Sequence, residues 1–276
     1  MIPKELFKDK IYVIKFGGSI MHTDHEKACF IDNVLFMKDL GVKIVIVHGG
    51  GQFITKRLDA MQIPTEFKEG YRVTTKEAMK EVEMLLGGSI NKDLTMNFNQ
   101  QGLKAVGLTG KDGACIKAKK KLIKKGDQFL DIGNVGEIEA VDTHYIDLLL
   151  SNEYIPVVAP IGYDAEGTTY NLNADDVAGK LCGALKAEKL ILMTDVDGLY
   201  KEFSDASSFI PELTQQEAKA MIDSGIITDG MIPKLNSCIT SLEEGAKSAH
   251  IINGMTKNSL LYELFSVKDF GTTVTQ

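Results

Sequence analysis

The chain has 276 residues, 44% apolar and 25% charged, with a net charge of −7. That length carries one large domain or two lobes around a sizeable core, and the acidic balance gives no reason to expect nucleic acid or anionic lipid as a main partner. Four separated cysteines with no CxxC pair, no apolar run of membrane-spanning length and no signal-peptide core in "MIPKELFKDK" exclude a disulfide framework and make a cytoplasmic protein the expectation.

In chain order, "IYVIKFGG" from Ile11 reads as a buried strand that ends in Lys15 and two glycines, Gly17 and Gly18. A helix follows over Glu26–Leu40 with Phe30, Val34 and Met37 on one face. "KIVIVHGGG" from Lys43 is a second buried strand, ending in Gly49, Gly50 and Gly51. A helical stretch from about Thr75 to Gly102 is interrupted at Gly87-Gly88, and strands follow at Lys104 and Ile155. Between them, Cys115 to Val141 reads as a hairpin excursion from the sheet. Its run "KAKKKLIKK" is a solvated surface strand or turn rather than a nucleic-acid patch. "PIGYDAEGTTY", Pro160 to Tyr170, is the expected boundary between two lobes, about 1–168 and 169–276. Then come a helix over Ala174–Ala187, the strand "KLILMTDVDG" from Lys189, helices near Thr214–Ser224 and Pro233–Gly245, and the strand "AHIING" from Ala249. Short apolar strands alternating with helices predict an α/β fold, a mostly parallel sheet covered on both faces. Ligands bind beyond the carboxyl ends of such strands, which is where the glycines lie.

Three clusters in this pattern carry chemistry. A lysine at the end of a buried strand is costly unless an anion meets it, and adjacent glycines let a ligand approach the backbone. Glycine loops that precede helices can cradle an anion with their N–H groups, although each also serves a tight turn. "TDGMIPKLNS", Thr228 to Ser237, sets Pro233 as a first helical residue and Lys234 in the first turn, where a cation opposes the helix dipole unless an anion sits between them. "YNLNADDVAG" offers Asn173 or Asp175 as a helix cap, and an aspartate there could also hold two lysines. Arg72 in "EGYRVTT" suits bidentate binding of a carboxylate, or an ordinary surface ion pair.

Other chemistries lack their motifs. "AVGLTGKD" approaches a Walker A loop but has Ala105 and Asp112 at two of its defining positions. No GxGxxG, HRD with DFG, or GxSxG is present. His22 and His25 in "MHTDHE" read as a polar surface loop rather than metal ligands.

Together "VIKFGGS", "VIVHGGG", "GYRVT", "NLNADDVAG", "TDVDGLY" and "GIITDGMIPKL" resemble the amino acid kinase superfamily, and within it the acetylglutamate kinases, over about Lys10 to Thr272 and in the family's order. The resemblance implies a three-layer αβα sandwich with a central, mainly parallel sheet. It also implies an N-terminal lobe that binds the acyl amino acid and dimerises, and a C-terminal lobe that binds ATP. The activity implied is ATP-dependent phosphorylation of the side-chain carboxylate of N-acetyl-L-glutamate, an arginine-biosynthesis step. Carried over by motif, Lys15 and Lys234 stabilise the transferring phosphoryl group and Asp175 orients both. Gly17, Gly18 and Gly50 donate to phosphate oxygens. Gly50, Gly51, Arg72 and Asn171 bind the acyl amino acid. Asp195, Val196, Asp197, Gly198, Leu199 and Tyr200, with Gly225, Ile226, Ile227 and Thr228, line the nucleotide site. Mg²⁺ is expected on the nucleotide's phosphates, with no dedicated metal ligands in the protein.

Arginine-inhibited relatives carry a longer N-terminal helix and a C-terminal arginine site. Here fourteen residues precede Lys15, His250 and Glu263 supply part of such a site, and Asp269 departs from the usual GxGT loop. A dimer with weak or no arginine feedback is therefore expected, rather than a hexamer. The rivals are a carrier-bound aminoadipate kinase, against which "GYRVT" speaks, an aspartokinase, and a catalytically silent ligand sensor on the same fold.

Overall fold

The structure is a computed structural model describing residues 3–17, 23–126, 128–202, 204–227, 230–267 and 270–276. The sequence-based sites Gly18 and Thr228, together with His22 and Asp269, lie outside the described residues. The first half contains β1 (Ile11–Phe16), α1 (Asp24–Asp39), β2 (Lys43–His48), α2 (Gly51–Ala60), β3 (Phe67–Lys68), β4 (Tyr71–Arg72), α3 (Lys76–Glu83), α4 (Asn91–Gln100) and β5 (Ala105–Thr109). Next come β6 (Ile116–Lys125), β7 (Gln128–Val141), α5 (His144–Ser151), β8 (Ile155–Ala159), β9 (Ile161–Tyr163), β10 (Thr169–Asn171), α6 (Ala174–Ala184) and β11 (Lys189–Thr194). The chain ends with β12 (Leu199–Tyr200), β13 (Phe209–Ile210), β14 (Glu212–Thr214), α7 (Gln215–Asp223), α8 (Met231–Glu243), β15 (Ser248–Asn253), α9 (Ser259–Leu264) and β16 (Thr272–Thr275).

The main sheet runs β14-β16-β15-β11-β1-β2-β8-β5 and is parallel apart from the β15–β16 pair. Strand β1 sits centrally, so both its faces are covered, which is why its sequence is almost continuously apolar. Tyr12, Ile14 and Phe16 enter a core with Phe30, Val34 and Met37 of α1 and with residues of α2, α3, α4 and α9. Val13 enters the opposite core, with α5, α6, α7 and α8. Ile14 and Phe16 are fully buried, each contributing about 2–3 kcal/mol relative to exposure. The strand's period of two then sends Lys15 to the same face as Val13, towards α6 and α8.

Helices α6 and α8 meet through glycine. A Cβ on Gly179 would lie 2.6 Å from the Ser237 carbonyl oxygen, and one on Gly183 would lie 2.5 Å from Glu244 Cβ. Both glycines are on α6, four residues apart, so they form one face that lets α8 approach. Gly179→Val should force the helices apart at a cost of about 1–3 kcal/mol. A thermal melt of the variant, with kcat measured beside it, should show both a lower Tm and slower turnover; an unchanged Tm would refute this packing.

The structure refines some sequence expectations and corrects others. The Gly87-Gly88 interruption takes the form of a π-helical turn, Met84–Ile90, which joins α3 to α4 without a gap. The wider turn turns Leu86 onto Gly50 and presses Gly87 against Thr109, contacts that sequence propensity does not register. Helix α1 begins before Glu26, because Thr23 and Glu26 form a capping box (Glu26 N to Thr23 Oγ1, 3.2 Å). His25 is thus helical, not part of a surface loop. Pro233 is the third residue of α8, not the first, since Met231 opens it; proline is tolerated there because first-turn N–H groups lack helical acceptors.

The β6–β7 hairpin leaves the main sheet, as expected, and joins β9 and β10 in a small closed barrel. Its lysines face acids across the strands: Lys117 to Glu139 (2.7 Å), Lys119 to Glu137 (3.6 Å) and Lys120 to Asp131 (2.6 Å). Cross-strand pairing explains the basic run as a charge ladder. No helix among the described residues is long and apolar enough to cross a membrane.

Candidate active site

Three charged residues from distant parts of the chain converge beyond the carboxyl end of β1. Lys15 is 9% exposed and Asp175 6%. Asp175 Oδ2 accepts from Lys234 Nζ at 2.8 Å. Asp175 Oδ1 lies 3.0 Å from Lys15 Nζ, a charge contact without hydrogen-bond alignment, so that oxygen has no hydrogen-bond partner. Asn173, not Asp175, caps α6: its side-chain oxygen accepts from Asp175 N at 2.8 Å and Asp176 N at 3.2 Å. That leaves the Asp175 carboxylate free to bridge the lysines from the helix's first turn, where the dipole also favours negative charge.

The electrostatics follow from burial and pairing. Burial pushes the Asp175 carboxyl up, but Lys15 and Lys234 outweigh it and hold it at about 2. Burial pushes the Lys15 ammonium below its ordinary value, with Asp175 opposing that shift. Among these three residues two cations share one anion, and Asp195 on the wall of the larger cavity also acts on Lys15. Buried cations of this kind are costly unless anions meet them.

Two cavities meet at Lys15. The larger, about 600 Å³, runs from Lys15, Gly17 and Lys234 to Leu199, Tyr200 and Ile227. The smaller, about 280 Å³, is lined by Lys15, Gly50, Gly51, Arg72, Asn171 and Asp175, with apolar walls that include Ile54 and Leu86. The loops after β1 and β2 come close here: a Cβ on Gly17 would sit 2.8 Å from Gly49 N, against backbone that has no room to yield.

Arg72 is held rigidly and left incomplete. Its Nη2 donates to Gly51 O (2.9 Å) and Thr55 Oγ1 (2.8 Å), and its guanidinium lies 4.6 Å from the Phe67 ring centre. Its Nη1 is buried with no hydrogen-bond partner. Thr74 braces this corner, donating from Oγ1 to Arg72 O at 3.0 Å and accepting from Asn171 Nδ2 at 3.4 Å. A planar cation with an unsatisfied buried donor, on the wall of a small cavity, is suited to a carboxylate.

The amino acid kinase family's sequence profile matches residues 10–253. The chain belongs to the amino acid kinase family. It is 47% identical to an acetylglutamate kinase of Methanocaldococcus jannaschii over 275 residues, covering 98% of this chain and 92% of that one. It is 44% identical to an acetylglutamate kinase of Kosmotoga olearia over 268 residues, covering 97% and 92%. Among solved structures, N-acetylglutamate synthase from Neisseria gonorrhoeae, complexed with coenzyme A and N-acetyl-glutamate, superposes with a TM-score of 0.84 at 22% identity. That match covers 99% of this chain and 61% of the synthase, and it speaks to the fold alone.

The family's fold brings together most of the positions singled out from sequence. Gly17, Asp195, Val196, Gly198, Leu199, Tyr200, Ile226 and Ile227 line the larger cavity, and Gly50, Gly51, Arg72 and Asn171 the smaller. Asp197 lies in an adjoining recess with Asp195 and Tyr200, where its carboxylate accepts from Asn253 Nδ2 at 2.8 Å. Gly225 does not line the large cavity; it ends α7 at φ 73°, a turn position. Sequence reasoning missed Gln52, Met193 and Lys201 in the larger cavity and Phe67 and Tyr71 in the smaller. Gln52 and Lys201 directly follow recognised motifs, which is the signal that was available. His250 and Glu263 do lie together, with Nδ1 to Oε1 at 2.9 Å, and Lys189 joins the same Glu263 oxygen at 2.7 Å. Among the described residues no group of three or more His, Cys, Asp or Glu side chains is placed to hold a metal.

Proposed function

We propose that this chain is an acetylglutamate kinase, transferring the γ-phosphoryl group of ATP to the side-chain carboxylate of N-acetyl-L-glutamate. One observation carries the reading. A buried Lys15–Asp175–Lys234 cluster, two cations to one carboxylate, stands at the junction of a large cavity and a small one, and the small one is lined by Arg72, whose Nη1 is buried without a hydrogen-bond partner. The near-full-length similarity to the two kinases named above supplies the substrate.

In this reading ATP lies in the larger cavity and the acyl amino acid in the smaller, its α-carboxylate on Arg72 and its amide near Asn171. The acceptor carboxylate is ionised at neutral pH and needs no general base. One of its oxygens forms a bond to the γ-phosphorus while the bond from that phosphorus to the bridging oxygen breaks, and ADP leaves with the electron pair. The protein's task is positioning and charge neutralisation. Lys15 and Lys234 face the transferring group, and the backbone N–H groups of Gly17 and Gly50 add donors that need no reorganisation. Asp175 keeps the two ammonium groups together when no phosphate separates them. Mg²⁺ would travel with the nucleotide, held mainly by phosphate oxygens. We also read the lobes as dividing near residue 168, the acyl amino acid in the first and ATP in the second, and the protein as a cytoplasmic homodimer.

A hydroxylamine-trapping assay with ATP and Mg²⁺ tests the function. The panel is N-acetylglutamate, N-acetylaspartate, glutamate, aspartate and N-acetyl-aminoadipate. Hydroxamate formed selectively from N-acetylglutamate is the expected result. Equal yield from free glutamate, or none from any acceptor, would overturn the reading.

A further inference from the structure

His48 closes β2 and is completely buried, yet the transfer just described makes no use of it. The strand's alternation places it on the same face as Ile44 and Ile46, above α4. There Asn91 Nδ2 lies 3.1 Å from His48 Nε2 and 2.8 Å from Val157 O. An amide nitrogen only donates, so Nε2 accepts and the ring proton sits on Nδ1. Nδ1 lies 2.9 Å from Gly49 O and therefore donates to it. Burial pushes the imidazole down to about 4, so the ring keeps this neutral tautomer across the neutral range.

The consequence falls on the next peptide. The described backbone has no cis bonds, so the Gly49 carbonyl and the Gly50 N–H point in opposite directions across one plane. With the carbonyl tied to the ring, the N–H faces away from it. Gly50 is buried, it lines the smaller cavity, and its N–H meets no acceptor among the described residues. A peptide between two glycines flips at little steric cost, and the flipped form would turn a carbonyl oxygen towards bound anions. We propose that His48 is a positioning residue for phosphoryl transfer: its ring locks the Gly49–Gly50 peptide so that the Gly50 N–H faces the reacting groups. The proposal rests on the function assigned above.

His48→Leu removes the lock, and His48→Asn replaces it, since an asparagine Nδ2 occupies the place of histidine Nδ1. His48→Leu should lower kcat about 10- to 100-fold with the KM for ATP little changed, and His48→Asn should recover most of the loss. A folded His48→Leu with kcat within about twofold of wild type, or His48→Asn no better than leucine at equal Tm, would overturn it. If His48→Leu does not fold, or the wild-type protein proves inactive on every acceptor, the ¹⁵N imidazole spectrum of the wild-type protein decides. A neutral Nδ1–H ring supports the lock, and an Nε2–H ring, which sets a lone pair against the Gly49 carbonyl, contradicts it. Wild-type inactivity strikes the function reading, whereas normal turnover in folded His48→Leu strikes this inference alone.

Discussion

Lys234→Ala should lower kcat about 10²- to 10³-fold while leaving the KM for N-acetylglutamate within a few-fold of wild type. The reasoning starts from geometry. Lys234 Nζ borders the larger cavity and reaches Asp175 at 2.8 Å, but it does not line the smaller cavity where the acceptor is placed. Its charge is therefore spent on the phosphoryl group, whose charge is spread over its three equatorial oxygens during transfer, and a contact made chiefly there appears in kcat. The variant should stay folded, because Asp175 retains Lys15 at 3.0 Å. Steady-state kinetics with each substrate varied in turn checks this. A near-normal kcat would remove Lys234 from the chemistry.

Arg72→Ala should do the opposite, raising the KM for the acyl amino acid about 10- to 100-fold, as loss of a charged hydrogen-bond pair predicts, with the KM for ATP little altered. The guanidinium is already anchored by Gly51 O and Thr55 Oγ1, so binding costs it little further ordering. Arg72→Lys should not restore affinity, since an ammonium cannot hold both anchors and also present a second donor in the same plane. If the KM for ATP rose instead, the two substrates would be assigned to the wrong cavities.

Much of this arrangement was legible in the sequence because the signals were local. Apolar runs ending in glycine marked β1 and β2, and the costly placements of Lys15 and Lys234 each pointed to a missing anion. What escaped depended on partners far along the chain. The interruption at Gly87-Gly88 was visible, but not its π-helical form, because helix propensity does not register Leu86 packing on Gly50 or Gly87 on Thr109. The β6–β7 hairpin was visible, but its closure into a barrel needed β9 and β10, each three residues long. Helix α9 and strand β16 were too short for periodicity to reveal. His48 lay inside a recognised motif and still passed unremarked, because Asn91, which fixes its tautomer, is 43 residues away. Gly225, grouped with the nucleotide set by its motif, stands at a turn after α7 and not on the wall of the larger cavity.

The central claim is that Lys15 stands between a nucleotide cavity and a carboxylate cavity. A crystal structure with N-acetylglutamate and a non-hydrolysable ATP analogue tests it most directly. The account predicts the terminal phosphate within about 3 Å of the ammonium groups of Lys15 and Lys234, the α-carboxylate on the Arg72 guanidinium, and the side-chain carboxylate turned towards Lys15. An acyl amino acid in the larger cavity, or a nucleotide phosphate on Arg72, would contradict it.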